Sequence, residues 1–205
     1  MLTPHEPFPG YRRPAGPHDL YTTKPPWDID RPQPALAALA EAGDIHGRVL
    51  DIGCGTGEHA LLAAQLGHEA TGIDQSAQAL ERAEQKARER GLTVRFLRHD
   101  AQDLATLGET FDTVIDSGLF HIFAPDARAT YASSVASVLC PDSRYFMLGF
   151  SDRQPGTWGP HRLSRNDIET AFGDSWRLDS LEPAVLEILP DPAGAQAWLA
   201  ALTRM

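Results

Sequence analysis

The densest chemical signal lies in Val49-Leu50-Asp51-Ile52-Gly53-Cys54-Gly55-Thr56-Gly57, where a short apolar run enters three alternating glycines and a helix-like pattern follows. Glycine lets the main chain turn sharply and approach a ligand with no Cβ in the way. The N–H groups that open a helix suit a carboxylate or a phosphate. Asp51 stands inside the apolar run, where its carboxylate would suit a cationic ligand group. Asp74 ends the next apolar run, 19 residues after Gly55. A carboxylate there can accept from both hydroxyls of a ribose, and each charge-assisted bond is worth roughly 1.5–3 kcal/mol. Asp100 ends a third run.

Two kinds of nucleoside cofactor can use such a turn. Gly55 to Ala60 fits the dinucleotide pattern G-x-G-x-x-A. Asp51 sits where a dinucleotide fold carries an apolar residue, and Glu58 sits where a pyrophosphate would lie and would repel it. Farther on, Asp116-Ser117-Gly118-Leu119-Phe120-His121-Ile122-Phe123 follows a fourth apolar run. His121 is a candidate base, since imidazole titrates near neutrality; the alternative is local hydrogen bonding that shapes a pocket. Phe120 and Phe123 are pocket walls or core. Ser151 to Arg162 is rich in loop formers, and Trp158, His161 and Arg162 can face an acceptor or belong to an ordinary solvated loop. Cys54 reads as a small packed residue of the turn, and the histidines lack metal-ligand spacing, so no metal site is expected.

These residues need a scaffold, and the hydrophobic pattern supplies one. Short apolar runs at 48–52, 69–73, 93–97, 111–115 and 145–150 read as strands. Helical patterns cover 34–42, 57–66, 76–90 and 127–139; Ser76 is placed as an N-cap and Gly91 as a stop. Ser164 with Asp167 resembles a capping box. Residues 176–189 read as extended with Pro183 interrupting them, which suits an edge or a bend. Residues 198–204 fit helix or strand. Strands alternating with helices imply an α/β fold, a parallel sheet covered on both faces, with ligands at the carboxyl ends of the strands.

The chain has 205 residues, enough for one such domain, and 42% are apolar. No apolar stretch is long enough to span a bilayer, and residues 1–16 lack the apolar core of a secretion signal. Two cysteines give no disulfide framework, which fits a cytoplasmic protein. With 18 Lys plus Arg against 28 Asp plus Glu, the net charge of -10 disfavours a nucleic-acid substrate. Nine of the 16 prolines fall in residues 1–34, beside Tyr11, Tyr21 and Trp27. That segment is a disordered tail or a lid whose aromatics fold over a ligand; its second half, next to the first helix, favours the lid.

VLDIGCGTG, GID and RHDAQDL resemble motifs I, II and III of the class I S-adenosylmethionine (SAM) dependent methyltransferases, in order and with that family's spacing, over residues 45–150. The resemblance implies a Rossmann-like, seven-stranded, mostly parallel sheet with helices on both faces and an antiparallel last strand, which would be 198–204. It also implies that Gly53, Gly55 and Gly57 bracket the methionine part of SAM, with Asp51 near its amino group through water. Asp74 would hold the ribose and Gln75 would pack on the adenine. Asp100 would accept from the adenine amino group beside the Ala101 backbone, and Asp116 and Ser117 would line the methionine side.

Pro26-Trp27-Asp28-Ile29-Asp30-Arg31-Pro32-Gln33-Pro34 is similar to the PWDxGRxxP segment of the thiol, thiopurine and halide methyltransferase-like enzymes. In that group the segment closes over SAM and acceptor, which implies Trp27 and Arg31 at the cofactor and Trp27 again at the acceptor. Asp30 replaces the usual glycine, so a backbone position that accepts positive φ is expected to be lost.

The combined expectation is a methyltransferase domain over 35–205 with a lid over 1–34, using SAM and releasing S-adenosylhomocysteine. It moves a methyl group in line to a small, flat thiol, heteroaromatic nitrogen or hydroxyl oxygen. Such transfer needs alignment above all, and positioning can supply roughly 7–11 kcal/mol. The acceptor would meet Tyr11, Tyr21, Trp27, Phe120, His121, Trp158 and His161. No nucleic-acid or membrane partner is expected, and the chain is a monomer or homodimer. The alternatives are a nicotinamide-dependent oxidoreductase and a noncatalytic SAM-binding module.

Overall fold

A computed structural model describes residues 20–205. Among them the strands are β1 (Arg48–Ile52), β2 (Glu69–Asp74), β3 (Arg95–Arg98), β4 (Phe111–Ser117), β5 (Leu139–Phe150), β6 (Trp176–Ile188) and β7 (Asp191–Arg204). The α-helices are α1 (Pro34–Glu41), α2 (Glu58–Gln65), α3 (Ala77–Arg90), α4 (Pro125–Ala136) and α5 (Arg165–Phe172). The strands form one sheet in the order β3-β2-β1-β4-β5-β7-β6. Neighbours from β3 to β5 are parallel, and β7 runs antiparallel to both β5 and β6. The strand order reverses between β1 and β4. Ile52 pairs with Ile73 on one side and with Asp116 on the other, so the carboxyl ends stand in one row.

Alternation of side chains gives the central strands two buried faces. Leu50, Ile52, Tyr145 and Met147 pack with Tyr131 and Val135 of α4 and Ile168 and Phe172 of α5. Val49, Phe146, Leu148 and Phe150 pack with Leu36 and Ala40 of α1 and Ala60 and Ala63 of α2. On α3, buried Ala79, Leu80, Ala83 and Ala87 recur at helical spacing. Ser76 accepts from the Ala79 N–H, and Gly91 ends the helix with φ 64°. Ser164 and Asp167 form the expected capping box at α5.

Three expectations are corrected. The helix expected over 127–139 ends at Ala136, because Leu139 pairs with Phe111 and opens β5. The final strand is twice the expected length, since Asp191–Arg204 forms a long hairpin with β6, whose edge position tolerates Pro183. Asp30 has φ 58°, so the left-handed turn expected to vanish with the missing glycine is kept. Aspartate is among the residues that enter this region at moderate cost, and Lys24 pairs with its carboxylate. Among the described residues no helix is long and apolar enough to cross a membrane.

Candidate functional site

A cavity of about 470 Å³ opens along the row of strand carboxyl ends. Gly53 and Gly55 form part of its floor. Asp74 and Gln75 border it beyond β2, Asp100 and Ala101 beyond β3, and Ser117 and His121 beyond β4. Tyr21, Trp27 and Arg31 border it from the amino-terminal segment. A side chain at Gly55 would be strained: its φ is 54°, and a Cβ there would press on the Tyr21 hydroxyl, which would have to shift.

The polar groups are held from below. Asp74 Oδ2 accepts from the Gly55 N–H at 2.9 Å and Oδ1 from the Ser76 N–H at 2.8 Å. Burial raises its carboxyl above the ordinary range, against these backbone bonds. Trp27 Nε1 donates to the Tyr21 hydroxyl at 3.2 Å. Burial, then the Asp74 carboxylate, push that phenol well above its usual value, so it stays protonated. Burial likewise raises the Cys54 thiol well above its ordinary value, which removes it as a nucleophile.

Several expected residues are not on the cavity wall. Asp51 is buried behind the turn, where Oδ2 accepts from the Ala60 N–H at 3.1 Å. Burial raises it to about 7. Gly57 faces Ala83 and Phe96, and a Cβ there would meet them. Asp116 lies beneath the wall: the hydroxyls of Tyr131 and Tyr145 donate to Oδ2 at 2.6 and 2.7 Å, and the Leu119 N–H donates to Oδ1 at 2.8 Å. Burial raises its carboxyl in spite of these donors. It holds the turn Phe120–Ile122 rather than a ligand. Phe120 is core, its ring against Tyr131 and Phe172, whereas Phe123 reaches the cavity.

In the loop after β5, Gly159 and Pro160 border the cavity in place of Trp158 and His161. Trp158 stands edge-on to Phe150, and the His161 N–H donates to the His121 carbonyl at 3.1 Å. Arg162 donates to the carbonyls of Gln154, Gly156, Trp158 and Pro160 and so ties the loop together. Tyr11 lies outside the described residues.

The repulsion expected from Glu58 is corrected too. Burial pushes its carboxyl up, but Arg90 at 2.8 and 2.9 Å and Lys86 at 2.8 Å outweigh burial and hold it below the usual range. The charge is neutralised by α3.

Sequence reasoning missed several polar neighbours of the cavity, among them Asp28, Gln33, Thr56, His59, His99 and Gln102. Asp28 accepts from the Thr56 hydroxyl at 3.0 Å, and His59 Nε2 accepts from the Gln33 N–H at 3.1 Å. Burial lowers His59 to about 4. A histidine in the first turn of the helix after the glycines is a readable signal. Leu186, brought to the wall from β6, has no local signal.

His121 is 5% exposed, and its Nδ1 accepts from the Phe150 N–H at 2.9 Å. The described residues hold no group of three or more His, Cys, Asp or Glu arranged for a metal ion.

Sheet order and site together define a Rossmann-like cofactor-binding domain. The family described as "Methyltransferase domain" matches residues 49–142. A 2-heptyl-1-hydroxyquinolin-4(1H)-one methyltransferase of Mycobacteroides abscessus is 37% identical over 166 residues, 80% of this chain and 73% of that protein. The probable thiol methyltransferase 2 of Arabidopsis thaliana is 29% identical over 70% of this chain and 65% of its own. A solved structure described under "Conversion of a Disulfide Bond into a Thioacetal Group during Echinomycin Biosynthesis" superposes with a TM-score of 0.83 at 35% identity, covering 91% of this chain and 89% of that one.

The chain belongs to the class I SAM-dependent methyltransferases. It is an enzyme, and SAM is its cofactor. The residues present fit that group. Gly53 and Gly55 leave the cavity floor open, Asp74 and Asp100 bring carboxylates to its wall, and Arg31, which pairs with Glu187, brings a guanidinium.

Proposed function

We propose that this enzyme methylates a small, flat heteroaromatic or thiol acceptor inside the described cavity. One observation carries the reading. Beyond the glycine turn the same cavity is walled by Leu119, Ile122, Phe123, Phe150, Pro160 and Leu186, an apolar slot continuous with the cofactor wall. A volume of about 470 Å³ suits a cofactor with a compact molecule, not a polymer. The action of the 37% identical relative on a hydroxyquinolinone agrees with such a slot.

When bound, SAM supplies a methyl group activated by a positive sulfur. The chain's own residues orient and shield. In this reading Asp74 accepts from the ribose, Gln75 and Ala101 border the adenine, and Asp100 accepts from its amino group. Arg31 faces the methionine carboxylate, and Gly53, Gly55 and Ser117 border the methionine arm. Residues 20–34 act as a lid, with Tyr21 and Trp27 excluding water. The enzyme works in the cytoplasm as a monomer or homodimer. Its charge of -10 keeps nucleic acid away.

The test is calorimetric titration with S-adenosylhomocysteine and with NAD, on the wild type and on Asp74→Ala. The wild type should bind the first and not the second. Asp74→Ala should bind at least about tenfold more weakly, the loss of one charge-assisted bond. Binding of NAD alone would replace the reading with hydride transfer. Tight binding of the homocysteine nucleoside with no turnover of hydroxyquinolinones, thiols or phenols would leave a noncatalytic binding module.

A further inference from the structure

We infer that the Tyr21 hydroxyl binds the cofactor: it donates to a ribose hydroxyl, so that with Asp74 the enzyme reads the sugar both as donor and as acceptor. The inference rests on the reading that Asp74 holds the ribose. It moves Tyr21 from the acceptor side, where the sequence placed it, to the cofactor side.

Tyr21 belongs to the segment over the strand ends, and it is 5% exposed. Its carbonyl accepts from Arg82 Nη2 of α3 at 2.8 Å, which ties the residue down over the sheet. Farther along, the Thr56 hydroxyl donates to Asp28 at 3.0 Å, so the same segment is latched to the glycine turn. The ring points its oxygen at the cavity floor. A Cβ built on Gly55 would press on the Tyr21 oxygen first and stay 3.4 Å from Cζ, so the hydroxyl rests on this glycine and not the ring face. Both residues border the cavity. Asp74 Oδ2 accepts from the N–H of the same glycine at 2.9 Å. Phenol and carboxylate thus converge on one residue of the floor.

A phenol oxygen can accept, and it has one proton to give. Trp27 Nε1 donates to this oxygen at 3.2 Å, which engages the accepting side and turns the O–H away from the indole. Among the described residues nothing accepts from that O–H: Trp27 and Arg82 account for the hydrogen bonds of Tyr21. A buried donor without an acceptor is costly. The carboxylates of the wall are engaged with other donors: Asp74 with Gly55 and Ser76, Asp28 with Thr56, and Asp100 with the Gln102 N–H. The acceptor for Tyr21 therefore comes with the ligand.

A ribose hydroxyl fits both partners. An ionised Asp74 can only accept, so it takes the hydroxyl's proton. The same oxygen keeps its lone pairs, and the Tyr21 O–H meets one of them. Replacing that hydroxyl by hydrogen leaves Asp74 short of a donor and Tyr21 short of an acceptor. The pair thus rejects a deoxynucleoside more sharply than Asp74 alone would.

Calorimetric titration of wild type and Tyr21→Phe tests this with four ligands: S-adenosylhomocysteine, 5′-methylthioadenosine, and the 2′-deoxy and 3′-deoxy forms of the latter. The weak ligands are read by displacement of S-adenosylhomocysteine. Tyr21→Phe should bind the first two about tenfold more weakly, the loss of one hydrogen bond. Methylthioadenosine keeps the ribose and has no carboxylate, so an equal loss assigns the bond to the sugar. With one of the two deoxy forms the loss should vanish, because the accepting oxygen is gone. A loss with S-adenosylhomocysteine alone overturns the inference in favour of the methionine carboxylate. The same loss with all four ligands, or none with any, overturns it in favour of a packing role for the phenol. Asp74→Ala, titrated alongside, separates the two readings. If it binds S-adenosylhomocysteine as tightly as wild type, the ribose site itself is wrong. If it weakens binding while Tyr21→Phe does not, only the role of Tyr21 falls.

Discussion

Gln33 and Glu187, 154 residues apart in the chain, exchange two hydrogen bonds: Gln33 Nε2 donates to the Glu187 carbonyl at 3.0 Å, and the Glu187 N–H donates to Gln33 Oε1 at 2.8 Å. The Leu189 N–H donates to the Pro26 carbonyl at 2.8 Å, and Arg31 pairs with the Glu187 carboxylate. The segment over the cofactor wall is therefore strapped to β6. Gln33→Ala leaves two main-chain groups of Glu187 without these partners. The expected cost is about 2 kcal/mol, a fall in Tm of about 4–8 °C for a chain of this size. KM for SAM should rise more than kcat falls. Unchanged Tm and KM would show that the strap is held elsewhere.

Asp116 gathers two tyrosine hydroxyls and the N–H groups of Leu119 and Phe120. Tyr131→Phe removes one donor and should cost about 1–2 kcal/mol in denaturant unfolding. Asp116→Asn sets an amide NH2 against donors and should cost more, about 3 kcal/mol or above. Both should raise KM for the acceptor, because the turn they support carries His121. The opposite ranking would mean that the carboxylate is not the organising acceptor.

The half-buried His59 and the fully buried Asp51 set opposing pH trends. Burial lowers His59 to about 4, so below about pH 6.5 the unfolded chain takes up a proton that the folded one refuses. The contribution of His59 is full above that pH and is lost as pH falls toward 4. Burial raises Asp51 to about 7, so its contribution is full below about pH 4 and lost as pH rises to 7. The Tm advantage of wild type over His59→Gln should therefore shrink on acidification from neutral pH. Asp51→Asn should gain relative to wild type as pH rises over the same range. A gap that stays constant with pH, measured by calorimetric melts, would contradict either assignment.

Features encoded within a few residues were legible. Gly53 and Gly55, Asp74, Asp100 and the Ser164 cap each follow from a strand end or a helix start, and each stands where its local pattern puts it. Features made by distant contacts were not. Nothing near Leu186 or Glu187 marks them as neighbours of the glycine turn, because their place depends on β7 lying between β5 and β6. Phe120, Trp158 and His161 show a second limit. A sequence names the loop at the mouth of a site, but side-chain direction within it is decided by what it packs on. Here Phe172 and Phe150 claim Phe120 and Trp158, leaving Phe123, Gly159 and Pro160 at the wall. Asp30 shows a third. Its left-handed φ is inherited from the turn around it, and the residue type alone suggested the opposite.

The position of β7 also orders events while the chain is being made. β6 is synthesised before the strand that joins it to β5, so it must wait unpaired until β7 follows. Gln33 waits longer still for Glu187. At about 5–20 residues per second, 154 residues take roughly 8–30 s on the ribosome. In the later part of that interval, once residue 117 has been made, the glycine turn, β1, β2 and β4 can already have met, while the strap that covers them has no dock. The nascent protein thus has a cofactor floor well before it has a roof, and a cofactor binding early would meet an open bowl, not the finished cavity.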